Sequence, residues 1–341
     1  MAIIKSYNDQ KVLLSLLALA VVAGVAGGSF EWLKHTKNSG SALTASVVDS
    51  LPKEKDLPQV TLGFAGDIML DRGVKTSVKK NFGGDYAKLF ENAGALAEPA
   101  ITFANLEGPV STKGVDKKNL YSFRMDPAVL PVIKNAGIDV VSFANNHVGD
   151  WGRAAFDDSL VHIKEAGLLA CGAGSNKAEA ARPAIIEDSG LRVGFLCFTD
   201  VGPNDLAATE TKSGILLASD PDFEKIISSA RAEVNALVVS FHWGDEYKPI
   251  HNVRQEELAK KAIDSGASMI VGHHPHVAQD IGEYKDASIL YSLGNFIFDQ
   301  YFSPETMQGL YATATLTGNT ISDVKTFPTK ISKEFSVTIE K

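Results

Sequence analysis

Ala267-Ser268-Met269-Ile270-Val271-Gly272-His273-His274-Pro275-His276 is a short apolar run that ends in three histidines. Its length and aliphatic content predict a buried strand. In open α/β sheets, side chains at the carboxyl ends of strands share a crevice where such folds keep their sites. Alternation along the chain places His274 and His276 on one side and sends His273 to the other. Neutral imidazole is a common metal ligand, so the His-x-His pair offers two nitrogens to one ion or to two neighbours. Taken alone, the same residues also fit a surface histidine cluster.

Working outward, the same event recurs. Val60–Ala65 is a predicted strand that runs into Gly66-Asp67, and Ala100–Ala104 runs into Asn105-Leu106-Glu107. Asp139–Ala144 leads to Asn145-Asn146-His147, and Leu237–Phe241 to His242-Trp243-Gly244. Further strands are expected at Leu191–Phe198 and Ser288–Leu293, the latter before Gly294-Asn295. Amphipathic spacing predicts helices over 127–136, 153–166, 221–232 and 254–265. The tail from Leu310 suits closing antiparallel strands. One strand ending in Asp or Asn is ordinary turn chemistry; five strand ends delivering Asp, Asn, Glu or His are not. Strands alternating with helices point to a layered α/β fold.

The 341 residues carry a formal net charge of −8, which argues against nucleic-acid binding by bulk attraction. Cys171 and Cys197 make neither a disulfide framework nor a zinc module. Cys197 sits in an apolar run and is expected to be a buried, inert thiol. Residues 12–28 lack any charge and would span roughly 25 Å as a helix. With Phe30 and Trp32 at its boundary, the stretch reads as a signal-anchor helix over 12–33 after a cytoplasmic segment 1–11. A cleaved signal peptide is the competing reading. Either places the main domain, 58–341, outside the cell membrane, beyond a linker at 34–57.

The candidate metal ligands are Asp67, Glu107, Asn146, His242, His274 and His276. Carboxylate, amide oxygen and imidazole together suit Mn²⁺, Fe²⁺ or Zn²⁺. Two such ions about 3.5–4 Å apart clamp the oxygens of a phosphoryl-type displacement. His147 is placed to protonate a leaving oxygen, with Asp150 accepting its other N–H. Asn105 either caps its turn or joins the cluster. Arg72, Lys75 and Arg124 could meet an anionic group or lie on solvated surface, and Trp151 and Trp243 either wall the site or belong to the core.

The ordered motifs Gly66-Asp67-Ile68-Met69-Leu70, Asn105-Leu106-Glu107, Asn145-Asn146-His147 with Asp150 and Gly152, His242-Trp243-Gly244 with Glu246, His274-Pro275-His276, and Ser292–Phe296 resemble the CapA family of bacterial capsule and poly-γ-glutamate biosynthesis proteins. That family is in turn similar to calcineurin-like metallophosphoesterases. The resemblance implies a four-layer α/β/β/α sandwich with a two-metal site and a role beside membrane polymer synthase or export subunits. It implies an anionic polymer or phosphorylated substrate. The alternative is a non-catalytic scaffold or polymer-handling subunit. The chain departs from the phosphoesterase pattern on its first strand: Asp67 is followed by Ile68-Met69, with no Asp-x-His, and Glu107 stands where an aspartate is usual. Glu246 and Asn295 match the family without a role that can be derived from the residues.

Overall fold

The computed structural model describes residues 57–341, of which Pro58–Lys341 form one compact unit. The expected cytoplasmic segment, anchor helix and nearly all of the linker lie outside the described residues. Among those described, no helix is long and apolar enough to cross a membrane.

The chain begins with strand β1 (Gln59–Ile68), helix α1 (Arg72–Asn81), β2 (Ile101–Leu106), α2 (Val129–Asn135), β3 (Val140–Ser142), α3 (Gly152–Glu165) and β4 (Leu169–Cys171). A short β5 (Ala173–Gly174) and α4 (Lys177–Ala180) precede β6 (Ala184–Asp188), β7 (Leu191–Thr199) and β8 (Gly214–Ile215). Then come α5 (Phe223–Arg231), β9 (Ala236–His242), α6 (Val253–Asp264), β10 (Met269–His273), β11 (Ile281–Tyr284) and β12 (Ala287–Leu290). The closing strands are β13 (Asn295–Ile297), β14 (Gln308–Thr317), β15 (Thr320–Ile331) and β16 (Val337–Ile339).

Two mixed sheets result. The first runs β16-β15-β14-β1-β2-β3-β4, with β13 also paired to β1; the second runs β11-β12-β10-β9-β7-β6. In the second sheet the parity of the strands is plain. Val193, Phe195 and Cys197 of β7, Ala236 and Val238 of β9, and Met269 and Val271 of β10 join the core shared with the first sheet. Their neighbours Leu196, Phe198, Leu237, Val239, Phe241 and Ile270 pack on the opposite face with Phe223 and Ile227 of α5 and Leu258 and Ala262 of α6. Phe103 of β2 stacks on Phe195 with ring centroids 5.4 Å apart, joining the two sheets. Val78 of α1, Ile133 of α2 and Phe156 of α3 pack into the core from the first sheet's side. Helix α6 starts on a capping box: Asn252 Oδ1 accepts from the Gln255 N–H and Gln255 Oε1 from the Asn252 N–H.

A bulge in β1 sets the direction of Asp67. Phe64 pairs with Phe103, yet Asp67, three residues on, pairs with Asn105, two residues on. The extra residue rephases the strand end, so Asp67 faces inward like Phe64. Gly66 makes this possible, because a Cβ there would overlap the carbonyl oxygen of Gly294, whose backbone lies against the bulge. A Gly66→Ala substitution is expected to destabilise the fold by about 3 kcal/mol. Chemical denaturation checks this, and an unchanged midpoint would mean the contact relaxes freely.

Three features differ from expectation. Cys171 and Cys197 are joined in a disulfide, with their Cα atoms 5.4 Å apart, so Cys197 is not a free thiol. β4 and β7 carry them to adjacent positions although they lie 26 residues apart. Helix α1, after Asp71, is not among the helices expected from the sequence; it buries only Val74, Ser77 and Val78, too narrow a stripe to stand out. The segment after β12 does not continue in its own sheet. It crosses over through Tyr291–Gly294 and returns as β13, parallel to β1 in the other sheet.

Candidate metal centre

At the carboxyl ends of the strands each sheet presents a row of polar residues. In the first, Asp67 is the cross-strand partner of both Asn105 on β2 and Asn295 on β13. In the second, His242 of β9 is paired with His273 of β10. The rows meet where His273 Nδ1 donates to Asp67 Oδ1 at 3.1 Å. Asn105 Nδ2 donates to the same oxygen at 2.8 Å, and the His274 backbone N–H lies 3.3 Å from Asp67 Oδ2. Burial alone would raise the Asp67 carboxyl, but the His273 hydrogen bond and charge, with His276 and Asn105, hold it below its ordinary range.

His273 was expected to face away. The parity of β10 explains why it does not: Met269 and Val271 point inward, so His273 does too. The alternation expected to extend through His274 and His276 stops at the end of β10. His274 has φ +99° and His276 +58°, and the turn, not the strand, aims these imidazoles. All three still reach the same space. The His274 ring lies 4.8 Å from that of His242 and 6.1 Å from that of His276.

The remaining expected residues are also brought together. Asn146 Oδ1 accepts from His242 Nε2 at 2.9 Å. His147 Nδ1 donates to Asp150 Oδ2 at 2.8 Å, and its Nε2 lies 3.9 Å from Glu107 Oε1. Asp150 also accepts from the Phe123 N–H and from Asn119 Nδ2, both at 2.9 Å, so it secures the loop that lays Phe123 against His147. Asn105 joins the cluster, reaching Asp67, Glu107 Oε2 (3.2 Å) and His242 Nδ1 (3.5 Å). Asn145, to which the sequence assigns no role, fixes Asn105 by donating to its Oδ1 and to the Leu106 carbonyl. Asn295 acquires a role by accepting from His276 Nδ1 at 2.9 Å.

Trp243 belongs to the core: it is fully buried, stacked on Phe241, and donates to the Tyr291 carbonyl. The Arg124 guanidinium lies over Trp151, 3.5 Å from the ring centroid, and Arg72 is held by Asp299. Lys75 reaches Asp71 at 3.9 Å. None of these three cations touches the cluster's carboxylates.

The proton inventory shows what the cluster lacks. With its Nδ1 proton committed to Asn295, a neutral His276 turns an unprotonated Nε2 toward Glu107 Oε1 at 3.6 Å. That carboxylate oxygen is buried and without a hydrogen-bond partner, as are His274 Nδ1 and His273 Nε2. Burial first, then the charges of Asp67, Glu246 and Asp150, push the Glu107 carboxyl well above its ordinary range. Burial also pulls His274 and His276 down to about 4, against the opposing charge of Asp67. Neutral imidazoles and a crowded carboxylate facing one another call for a cation. Ligand atoms of Asp67, Glu107 and His242 lie within 4.8 Å of one another, and so do those of Glu246, His274 and His276. These residues fit divalent metal.

The fold and site thus define a mixed-sheet α/β protein with a buried carboxylate–imidazole cluster suited to divalent cations. Its residues 61–300 match the family model described as bacterial capsule synthesis protein PGA_cap, and the chain belongs to that family. It is 34% identical to the capsule biosynthesis protein CapA of Bacillus anthracis over 87% of this chain and 70% of that one. It is also 34% identical to the PGA biosynthesis protein CapA of Bacillus subtilis, over 71% of this chain and 64% of that one. Among solved structures, a hypothetical protein from Thermus thermophilus is similar in fold, with TM-score 0.50, 14% identity, and coverage of 82% of this chain and 100% of that one. A calcineurin-like phosphoesterase from Bacillus subtilis matches with TM-score 0.48 and 13% identity, over 82% of this chain and 92% of that one.

Proposed function

We propose that this protein is a membrane-anchored, extracytoplasmic hydrolase or transferase of metallophosphoesterase type, serving capsule or poly-γ-glutamate production beside a membrane polymer synthase. The sandwich is read as the four-layer α/β/β/α form. Its centre holds two divalent ions through Asp67, Glu107, Asn146, His242, His274 and His276. The observation that carries this is Glu107 Oε1, buried without a partner and facing an imidazole nitrogen on His276. Bound divalent ions would supply charge stabilisation at the reacting centre and a nucleophile at neutral pH.

The protein's own groups supply the rest. Asp150 holds the His147 Nδ1 proton, so the second nitrogen, Nε2, is the one turned to the cluster. The His147 side chain is 13% exposed, more than those of His273 or His276. In its doubly protonated form it can pass the Nε2 proton to a departing oxygen while Asp150 keeps the Nδ1 proton in place. Phe123 lies against this ring at 4.0 Å and limits its rotation. An anionic polymer or phosphorylated substrate would approach from that side.

Full-length protein loaded with Mn²⁺, Fe²⁺ or Zn²⁺ is expected to hydrolyse a phosphomonoester, a phosphodiester or a poly-γ-glutamyl amide. Chelation should remove about 100-fold or more of the rate, because the metal's share of transition-state stabilisation is several kcal/mol. Metal-loaded protein inert toward all three classes would overturn the catalytic reading and favour the polymer-handling scaffold.

A further inference from the structure

We propose that Glu246 is a metal ligand, and that it completes the more exposed of two unequal cation sites. The inference rests on the two-ion centre proposed for this fold and goes beyond it by assigning a residue and an order of occupancy.

The first strand supplies one ligand, Asp67. Met69 supplies none: it is fully buried against Phe123 and Phe298, and its sulfur accepts from the Asp71 N–H. His274 and His276 therefore need a third protein atom if they are to hold an ion of their own, and a Glu246 oxygen lies within 4.8 Å of theirs. That placement is built into the backbone. The Tyr247 N–H donates to the carbonyl of Pro275, the residue between the two histidines, at 2.8 Å. Gln279 Nε2 then binds the Lys248 carbonyl at 2.9 Å, and the His251 N–H donates to Asp280 at 3.0 Å. Gly244, at φ +84°, lets the chain turn into this segment directly after β9. The segment 244–251 is thereby fastened at several points to the stretch that carries the histidines, with Glu246 directed to them.

The two sets differ in environment. Asp67, Glu107 and His242 are all buried, whereas Glu246 is exposed beside buried His274 and His276. An exposed, rotatable carboxylate releases an ion more readily than a buried one held by fixed donors. The buried set fills first and holds longest; the Glu246 set exchanges with solution.

The experiment is titration of Mn²⁺ into chelator-stripped, full-length protein, followed by calorimetry and by metal analysis after dialysis. Wild type is expected to take up about two ions per chain. Glu246→Gln, which keeps the side chain's shape, should bind one ion with wild-type affinity and the second at least about 10-fold more weakly. Asp245→Asn removes a neighbouring exposed charge and should leave both affinities within about 3-fold of wild type, which separates ligation from the local field. Two ions bound by Glu246→Gln as tightly as by wild type would overturn the assignment while leaving the two-ion centre standing. Equal weakening in Asp245→Asn would overturn it as well. A wild-type protein that takes up no Mn²⁺, Fe²⁺ or Zn²⁺ would remove the underlying two-ion centre itself.

Discussion

Asp67→Asn is expected to lose bound metal and at least about 1,000-fold of the turnover number, more than removal of a single transition-state donor. Asp67 is the point at which both sheets meet: it accepts from Asn105 and His273, and the His274 N–H points at its second oxygen. Its depressed pKa keeps it charged at neutral pH, as a ligand must be. Alanine would also strand these buried donors, a loss of about 3–5 kcal/mol that could unfold the protein. Asparagine retains the shape and removes the charge. Metal analysis and turnover, with circular dichroism to confirm folding, give the answer. A folded Asp67→Asn protein that keeps its metal and its rate would show that the cluster is a structural polar network.

The second large effect is expected at His147. His147→Ala should reduce turnover by about 100- to 10,000-fold while leaving metal content unchanged. A proton donor matters most when the departing oxygen is basic. The loss should therefore be largest for alkyl phosphates and shrink toward nothing for a nitrophenyl ester, whose leaving group needs no proton. A uniform loss across leaving groups, or loss of metal, would place His147 among the ligands instead. Asp150→Asn is a poorer probe, because Asp150 also secures the loop through Phe123 and Asn119.

Much of this centre is legible in the sequence. Residues such as Asp67, Glu107 and His242 are conspicuous because each follows an apolar strand, and a charged or imidazole group there has few uses besides a site. The order of the motifs carries the CapA resemblance, which the family match bears out. What escapes is local geometry. Alternation anchored on His274 and His276, beyond the strand's true end, sends His273 outward. Residues 269 and 271 set the parity correctly, but only once it is known which face meets the other sheet. Asn105 and Asn145 look like turn residues, and only their partners distinguish them. The three residues of β13 are too few to show a period, so nothing in the sequence marks Asn295 as the neighbour of Asp67. The disulfide is hidden because each cysteine sits in an apolar stretch that gives no hint of its partner.

The crossover at Tyr291–Gly294 has a further consequence. By leaving one sheet after β12 and entering the other as β13, the chain laces the two halves together directly beneath the cluster. The Asp67 N–H has its acceptor, the Gly294 carbonyl, only once that lace is drawn. A chain stopped short of Gly294 would hold the residues from Asp67 to His276 and still lack the clasp that seats Asp67 between its neighbours. The seating of Asp67 therefore draws on chain that lies beyond every candidate ligand in sequence, and a fragment ending before Gly294 would lack the acceptor for its N–H.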